Sequence, residues 1–240
     1  MDCIPIEQLA IKLFADGADL ESIRLLNQNP LIKGFTTNPT LMRKAGITNY
    51  EEFAHEALSI VPDKPFSFEV FADEMDEMER QARIITSWGE NVYVKIPITN
   101  TKGESCFDLI KTLGDSGIKL NITAITTESQ VSELREYLIN CPSAFVSVFA
   151  GRIADTGRNP ETPMLLASAR LACYPNMELL WASTRELLNI YQAYHTGCDI
   201  ITVTPDILAK IPNINKDLNQ FSLETVQMFY KDGQASNFKL

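Results

Sequence analysis

Short runs rich in Val, Ile, Phe and Trp alternate along the chain with longer stretches in which apolar residues recur every three or four positions. The runs are Ile11–Asp16, Ile32–Thr36, Phe66–Phe71, Asn91–Ile96, Ile118–Thr123, Ala144–Phe149, Glu178–Ser183 and Ile200–Thr204. Branched and aromatic side chains suit strands of a parallel sheet buried on both faces. The periodic stretches predict helices over Asp73–Trp88, Gly103–Leu113, Glu128–Leu138, Thr162–Ala172 and Thr184–Tyr194. In the first of these, Met75, Met78, Ala82 and Ile85 form one apolar face, and the acidic start suits the positive end of a helix dipole. Lys216–Asn219 and Ser222–Lys231 add a C-terminal helical extension. Its apolar face, Leu223, Val226 and Phe229 or Tyr230, would pack over the barrel or elsewhere.

Eight strands alternating with helices predict an α/β protein built as one (β/α)8 TIM barrel. The strand ends from Asp16 to Thr204 recur at about 27 residues, close to the least that a strand, a helix and two short loops need. This reading makes 1–240 a single barrel domain, with the barrel over about 11–211 and the extension over about 216–240. A doubly wound open sheet is the structural alternative, and the G-x-G-x-x-G fingerprint it often carries is absent.

A length of 240 residues fits this single barrel or two small domains, and 45% apolar residues suffice for a large core. The chain has 21 Lys plus Arg against 31 Asp plus Glu, a net charge of −10. That balance argues against nucleic acid or an anionic membrane as partner, but leaves room for a small anion in a local basic pocket. No apolar run approaches the roughly 18 residues of a membrane span, and the N-terminus lacks the basic and apolar regions of a signal peptide. Five cysteines, Cys3, Cys106, Cys141, Cys173 and Cys198, have no CxxC spacing and read as reduced, mostly buried thiols of a cytoplasmic protein. His55 and His195 read as helix-surface residues, and no metal site is expected.

Function in such barrels concentrates where strands end. Asp16 closes the first predicted strand; Thr36, Thr37, Asn38 and Pro39 follow the second; Glu69 lies in the third, Lys95 in the fourth, Asn121 and Thr123 in the fifth. Ser147 lies in the sixth with Arg152 beyond it, and Ser183 ends the seventh with Arg185 beyond it. Lys95 stands in the apolar run Val92-Tyr93-Val94-Lys95-Ile96-Pro97. Burial disfavours a charged ammonium, and a neutral amine attacks carbonyls to form a Schiff base. The bland alternative is a core lysine paired with Glu69 or Asp16 for structure alone. Two carboxylates and a lysine from separate strands would also supply the acid and base groups that imine chemistry needs. Arg152, Ser183 and Arg185 suit an anion pocket, since two guanidiniums grip a phosphate well. Arg185 is expected in the first turn of the helix after strand seven, where free amides would add to the pocket.

These residues occur in segments that resemble a known family. Gly34-Phe35-Thr36-Thr37-Asn38-Pro39-Thr40 resembles the G-x-T-T-N-P-[ST] signature of transaldolases. Val92–Pro97 resembles the strand carrying their Schiff-base lysine. Asn121-Ile122-Thr123, Ser147–Ile153 and Ala182–Arg185 follow in the family's order, so the likeness spans roughly Phe14 to Ile211. The resemblance implies an imine on Lys95 with a ketose phosphate, and Asp16 as the group that takes the proton of the C4 hydroxyl. It implies Glu69 and Thr123 around a proton-shuttling water, and the Thr37–Asn38 segment, Asn121 and Ser147 around the dihydroxyacetone unit. Arg152, Ser183 and Arg185 would hold the terminal phosphate. No metal or organic cofactor is implied. The expected partners are sugar phosphates and further copies of the chain, because small family members form rings in which the C-terminal helix lies on a neighbour.

The resemblance further implies transfer rather than net cleavage. Fructose-6-phosphate aldolases of similar length carry Gln where this chain has Glu69 and Tyr where it has Phe149. Asp16-Gly17-Ala18-Asp19 departs from the usual Asp-[Ser/Thr]-x-Asp at Gly17, and Trp181 and Glu186 are unfamiliar flanks of the expected anion pocket. The reading is thus a transaldolase of carbohydrate metabolism, such as the pentose phosphate reactions. A lyase-type aldolase with the same imine and a catalytically silent sugar-phosphate-binding barrel are the alternatives.

Overall fold

The computed structural model describes residues 4–236. Its eight strands are β1 (Lys12–Asp16), β2 (Ile32–Thr36), β3 (Phe66–Glu69), β4 (Val92–Pro97), β5 (Leu120–Ile125), β6 (Ala144–Val148), β7 (Met177–Trp181) and β8 (Ile200–Val203). All neighbours pair in parallel, and β8 returns to β1 to close the barrel in sequence order. The TIM barrel expected from the alternation is therefore the fold. β5 runs to Ile125, and β7 opens at Met177 and stops at Trp181 rather than Ser183. Ser183 cannot extend β7, because its backbone turns into the left-handed region at φ 63°.

The helices between them are α1 (Leu20–Asn27), α2 (Pro39–Lys44), α3 (Tyr50–Ile60), α4 (Met75–Thr86), α5 (Phe107–Asp115), α6 (Glu128–Tyr137), α7 (Ala150–Ala154), α8 (Glu161–Leu171), α9 (Leu188–His195) and α10 (Pro205–Leu208). The sequence pattern does not reveal α1, α2, α3, α7 or α10. Three of these open with a side-chain cap: Asp19 accepts from Ser22 N before α1, Asn38 from Leu41 N before α2 and Asn49 from Glu52 N before α3. An N-cap of this kind satisfies an amide that the helix itself cannot. α1 and α2 each bury a single side chain, Ile23 and Met42, whereas α3 buries the apolar face Phe53, Ala54, Ala57 and Leu58. The acidic stretch before α4 is not all helical, since the Asp73 carboxylate accepts from Thr101 N and Oγ1 in a neighbouring loop.

Two apolar cores result. The larger lies between barrel and helices, where outward strand residues such as Ile32, Phe68, Val94, Ile122 and Trp181 meet the helix faces. The smaller fills the barrel itself with Phe14, Phe145, Leu180, Ala182 and Ile200. Tyr93 stacks on Phe145 with ring centroids 4.0 Å apart, and Phe14 meets the Phe145 ring edge-on at 5.4 Å. Gly34 makes room for this layer, because a Cβ there would stand 2.5 Å from a Phe14 ring carbon. The barrel is therefore plugged below its mouth, not hollow.

The extension forms one helix, α11 (Leu218–Ala235), with Asp217 as its N-cap. No residue in it is buried. The reading in which its apolar face packs over its own barrel is overturned: Leu223, Val226, Phe229 and Tyr230 are all exposed. Residues 237–240 and Cys3 lie outside the described residues. Cys106, Cys141 and Cys198 are free and buried, while Cys173 is free and exposed. Burial pushes the buried thiols up, Cys106 and Cys141 to about 11 and Cys198 to about 12. His55 on α3 and His195 on α9 are exposed. No helix among the described residues is long and apolar enough to cross a membrane.

Candidate active site

Strand register decides which side chains meet, because alternate residues of each strand point into the barrel. Glu69 pairs across to Lys95, Lys95 to Asn121, and Pro97 to Thr123. Asp16 pairs to Thr36 on the other side. Charged and polar residues from seven strands therefore end on one layer above the aromatic plug. They border a cavity of about 480 Å³ at the strands' C-terminal ends.

Lys95 lies at its base, buried, with Nζ 2.9 Å from Glu69 Oε2. Its Nζ also donates to the Thr37 carbonyl at 3.2 Å. Glu69 is half-buried, and Tyr50 on α3 donates to its carbonyl at 2.9 Å. Burial, aided by the Glu69 charge, holds the Tyr50 phenol well above its ordinary range. Asp16 is half-buried across the cavity, and its Oδ1 accepts from Thr36 Oγ1 at 2.8 Å. Burial raises the Asp16 carboxyl above the usual carboxylate range, against the opposing pull of Lys95 and the Thr36 hydrogen bond. The charge of Glu69 adds to the rise.

On the next strands a hydrogen-bond chain runs from Ser147 Oγ to Asn121 Oδ1 at 2.6 Å, and from Asn121 Nδ2 to Ser67 Oγ at 3.0 Å. The chain fixes the Asn121 amide between β3 and β6. Thr123 is also buried, but its hydroxyl finds no partner among the described residues, nor does that of Thr37. A buried hydroxyl left alone costs free energy of order 1–3 kcal/mol, so the Thr123 hydroxyl marks a place for a bound polar group. Asn38 borders the cavity while its Oδ1 caps α2. Phe149 is half-buried at the wall.

The opposite rim is cationic. Arg152 on α7 and Arg185 are exposed, and Ser183, two residues beyond β7, borders the same cavity. Arg185 also pairs with Asp155. The helical position expected for Arg185 is overturned: α9 begins only at Leu188. The Arg185 and Glu186 amides are not free, because the Asn189 side chain accepts both, at 2.8 and 3.2 Å. Anion binding at this rim would thus rest on guanidiniums and not on a helix end. Trp181 does not flank the pocket either; it points outward into the barrel–helix core, and its Nε1 has no partner among the described residues. Glu186 is exposed beside Arg185.

All the sequence-predicted site residues except Thr37 border this one cavity, and Thr37 reaches it through its carbonyl. Residues that sequence reasoning missed are Ser67, Leu180, Thr184, Thr202 and Thr204. Strand alternation was the available signal for Ser67, two before Glu69, and for Thr202, since each shares the inward parity of its strand.

The chain is similar to known proteins over most of its length. The family model described as Transaldolase/Fructose-6-phosphate aldolase matches residues 13–240. A "Probable transaldolase" of Dehalococcoides mccartyi is 33% identical over 205 residues, 84% of this chain and 90% of that protein. A "Probable transaldolase 2" of Listeria monocytogenes is 32% identical over 227 residues, 93% of this chain and 100% of the relative. A "Probable transaldolase" of Brucella anthropi is 34% identical over 218 residues, 88% of this chain and 94% of the relative. Among solved structures, a "putative isomerase" from Sinorhizobium meliloti superposes with a TM-score of 0.59 at 9% identity. That match covers 84% of this chain and 53% of the other, so the chain spans about half its length and the likeness is one of fold.

Proposed function

This chain belongs to the transaldolase/fructose-6-phosphate aldolase family, and from that premise we propose that it transfers a dihydroxyacetone unit from a ketose phosphate to an aldose phosphate through a Schiff base on Lys95. The observation that carries the reading is the pairing at the cavity base: a buried Lys95 with Nζ 2.9 Å from Glu69 and within electrostatic reach of Asp16. A lysine paired for structure alone would have no need of an open cavity above it.

The steps follow from the positions. Glu69 takes a proton from the ammonium, and the freed amine adds to the ketose C2 carbonyl. Loss of water, passed along a bound water at Glu69 and the unpartnered Thr123 hydroxyl, leaves the protonated imine. Asp16 takes the C4 hydroxyl proton, the C3–C4 electron pair moves into the imine, and an aldose phosphate departs. The enamine on Lys95 then attacks the acceptor's aldehyde carbon, and Asp16 returns its proton to the new hydroxyl. Hydrolysis frees the new ketose. The raised Asp16 carboxyl suits this shuttling, because a general base gains as its proton affinity nears the working pH. Asn121 and Ser147, tied at 2.6 Å, with Asn38 and the Thr37 segment, hold the hydroxyls of the three-carbon unit. Arg152, Ser183 and Arg185 hold the terminal phosphate. Phe149 offers no hydroxyl to protonate the enamine, so the intermediate waits for an aldehyde. We place this work in the cytoplasm, in a homo-oligomer, and within carbohydrate metabolism of the pentose phosphate kind.

The test is borohydride reduction in the presence of fructose 6-phosphate. A reduced three-carbon adduct should appear on Lys95 by peptide mass and be absent in Lys95→Met. No adduct would sink the imine and leave a sugar-phosphate-binding barrel. If the adduct forms but free dihydroxyacetone is released as fast as it is transferred to an aldose phosphate, the chain is a lyase-type aldolase.

A further inference from the structure

Asp16 is one of the two half-buried carboxylates of the site, and Gly17 beside it offers no side chain to steady it. Its described hydrogen bond comes from Thr36 Oγ1 at 2.8 Å. Thr36 Oγ1 in turn lies 2.5 Å from Thr202 Oγ1 on β8. An ionised carboxylate only accepts, so the single hydroxyl proton of Thr36 goes to Asp16. Thr202 is then the donor to Thr36, and the three groups form a directed chain closing on the carboxylate. Both threonines are buried. Thr202 is itself anchored, because Thr184 Oγ1 donates to its carbonyl at 2.7 Å from the loop that carries Ser183 and Arg185.

We propose that Thr202 is a positioning residue for the reaction: acting through the Thr36 hydroxyl, it fixes the Asp16 carboxylate and favours its ionised form as proton acceptor. This rests on the reading of Asp16 as the acid–base group of the site. A hydroxyl whose own oxygen accepts a hydrogen bond donates more strongly, so each link of the chain reinforces the next. Of the charged groups around Asp16, Lys95 on β4 also favours the carboxylate, and Glu69 on β3 opposes it. Asp19, Lys44 and Asp206 line the neighbouring recess behind Asp16, and Arg152 and Arg185 stand across the cavity. Thr202→Val removes one neutral donor and leaves all these charges in place.

The test has two readouts. Carbon-13 NMR of labelled aspartate carboxyls, with Asp16 assigned through Asp16→Asn, gives its titration directly. The acid limb of kcat/KM against pH gives its catalytic expression. In Thr202→Val both should move to higher pH by about half to one pH unit, and Thr202→Ser should restore both. Val matches Thr in shape, and Thr202→Cys serves as the second non-rescuing variant if Val fails to fold. An unmoved Asp16 titration, or a Ser variant that behaves like Val, overturns the proposal. A moved titration with an unmoved rate profile supports the chain and overturns instead the assignment of Asp16 as the base.

Discussion

Asp16 and Lys95 stand in otherwise apolar strands, and each is held by a neighbour in register: Thr36 beside Asp16, Glu69 beside Lys95. Because burial raises the Asp16 carboxyl, the fold penalises its ionised form. The cost is absent below the ordinary carboxylate range, where the group is protonated folded or unfolded. It grows as pH rises through the raised folded value, and is then constant. Asp16→Asn should therefore melt above the parent protein at pH 7, and its advantage should vanish toward pH 3, as scanning calorimetry would detect. Its transfer rate should fall at least about 100-fold, since the proposed general base is lost. At this scale the sequence was most legible where charge interrupts an apolar run, as at Asp16, Glu69 and Lys95. Alternation marked Ser67 and Thr202 as inward-facing but not as partners in the site, because hydroxyl residues are ordinary in strands and only the closure of β8 onto β1 brings Thr202 to Thr36.

Among the elements, the short helix α7 fits where its second residue has no side chain. A Cβ on Gly151 would stand 1.7 Å from the Ser183 carbonyl oxygen and 3.0 Å from Arg185 Nε. Ser183 at φ 63° and Ala124 at φ 62° already occupy left-handed backbone, which costs each about 1–3 kcal/mol. The end of β7 is thus wedged against α7, and this wedge brings Arg152, Ser183 and Arg185 to one rim. Gly151→Ala should force them apart and raise KM for a ketose phosphate by about tenfold, with KM for free dihydroxyacetone little changed. Equal losses with both substrates in steady-state assays would argue against the wedge. The strands were readable from composition because they are buried on both faces. Helices α1 and α2 were not, since they are short and bury one side chain each, while the apolar face of α3 was open to reading; α9 was read four residues early because Asn189 holds the preceding loop outside the helix.

For the whole molecule, a net charge of −10 coexists with a cationic rim, so any attraction of an anion is local. The outlying feature is α11. Val226 is 60% exposed and Phe229 64%, alongside Phe221, Leu223 and Tyr230, a continuous apolar face that soluble monomers seldom leave in water. We expect it to lie on another copy of the chain. Light scattering at micromolar concentration should give a multiple of the 26.9 kDa chain mass, and Val226→Asp with Phe229→Asp should reduce it to the monomer. A monomeric mass for the parent protein would contradict this. The amphipathic pattern of α11 was legible, but its position was not, because a stripe of apolar residues says that a face is covered and not by what.

The stacked rings of Tyr93, Phe145 and Phe14 beneath the cavity, with Gly34 giving way to Phe14, also decide traffic. A room with a solid floor has one door. Under the proposed transfer, a molecule made above that floor would leave by the route through which the next one enters, and their phosphate groups would compete for the same rim. For a two-substrate transfer this imposes alternation: the first product departs before the second substrate arrives, the enzyme holding only the fragment between visits. Excess donor would then block the doorway against acceptor, and the proposed reaction would owe that competition to the packing of the barrel's interior.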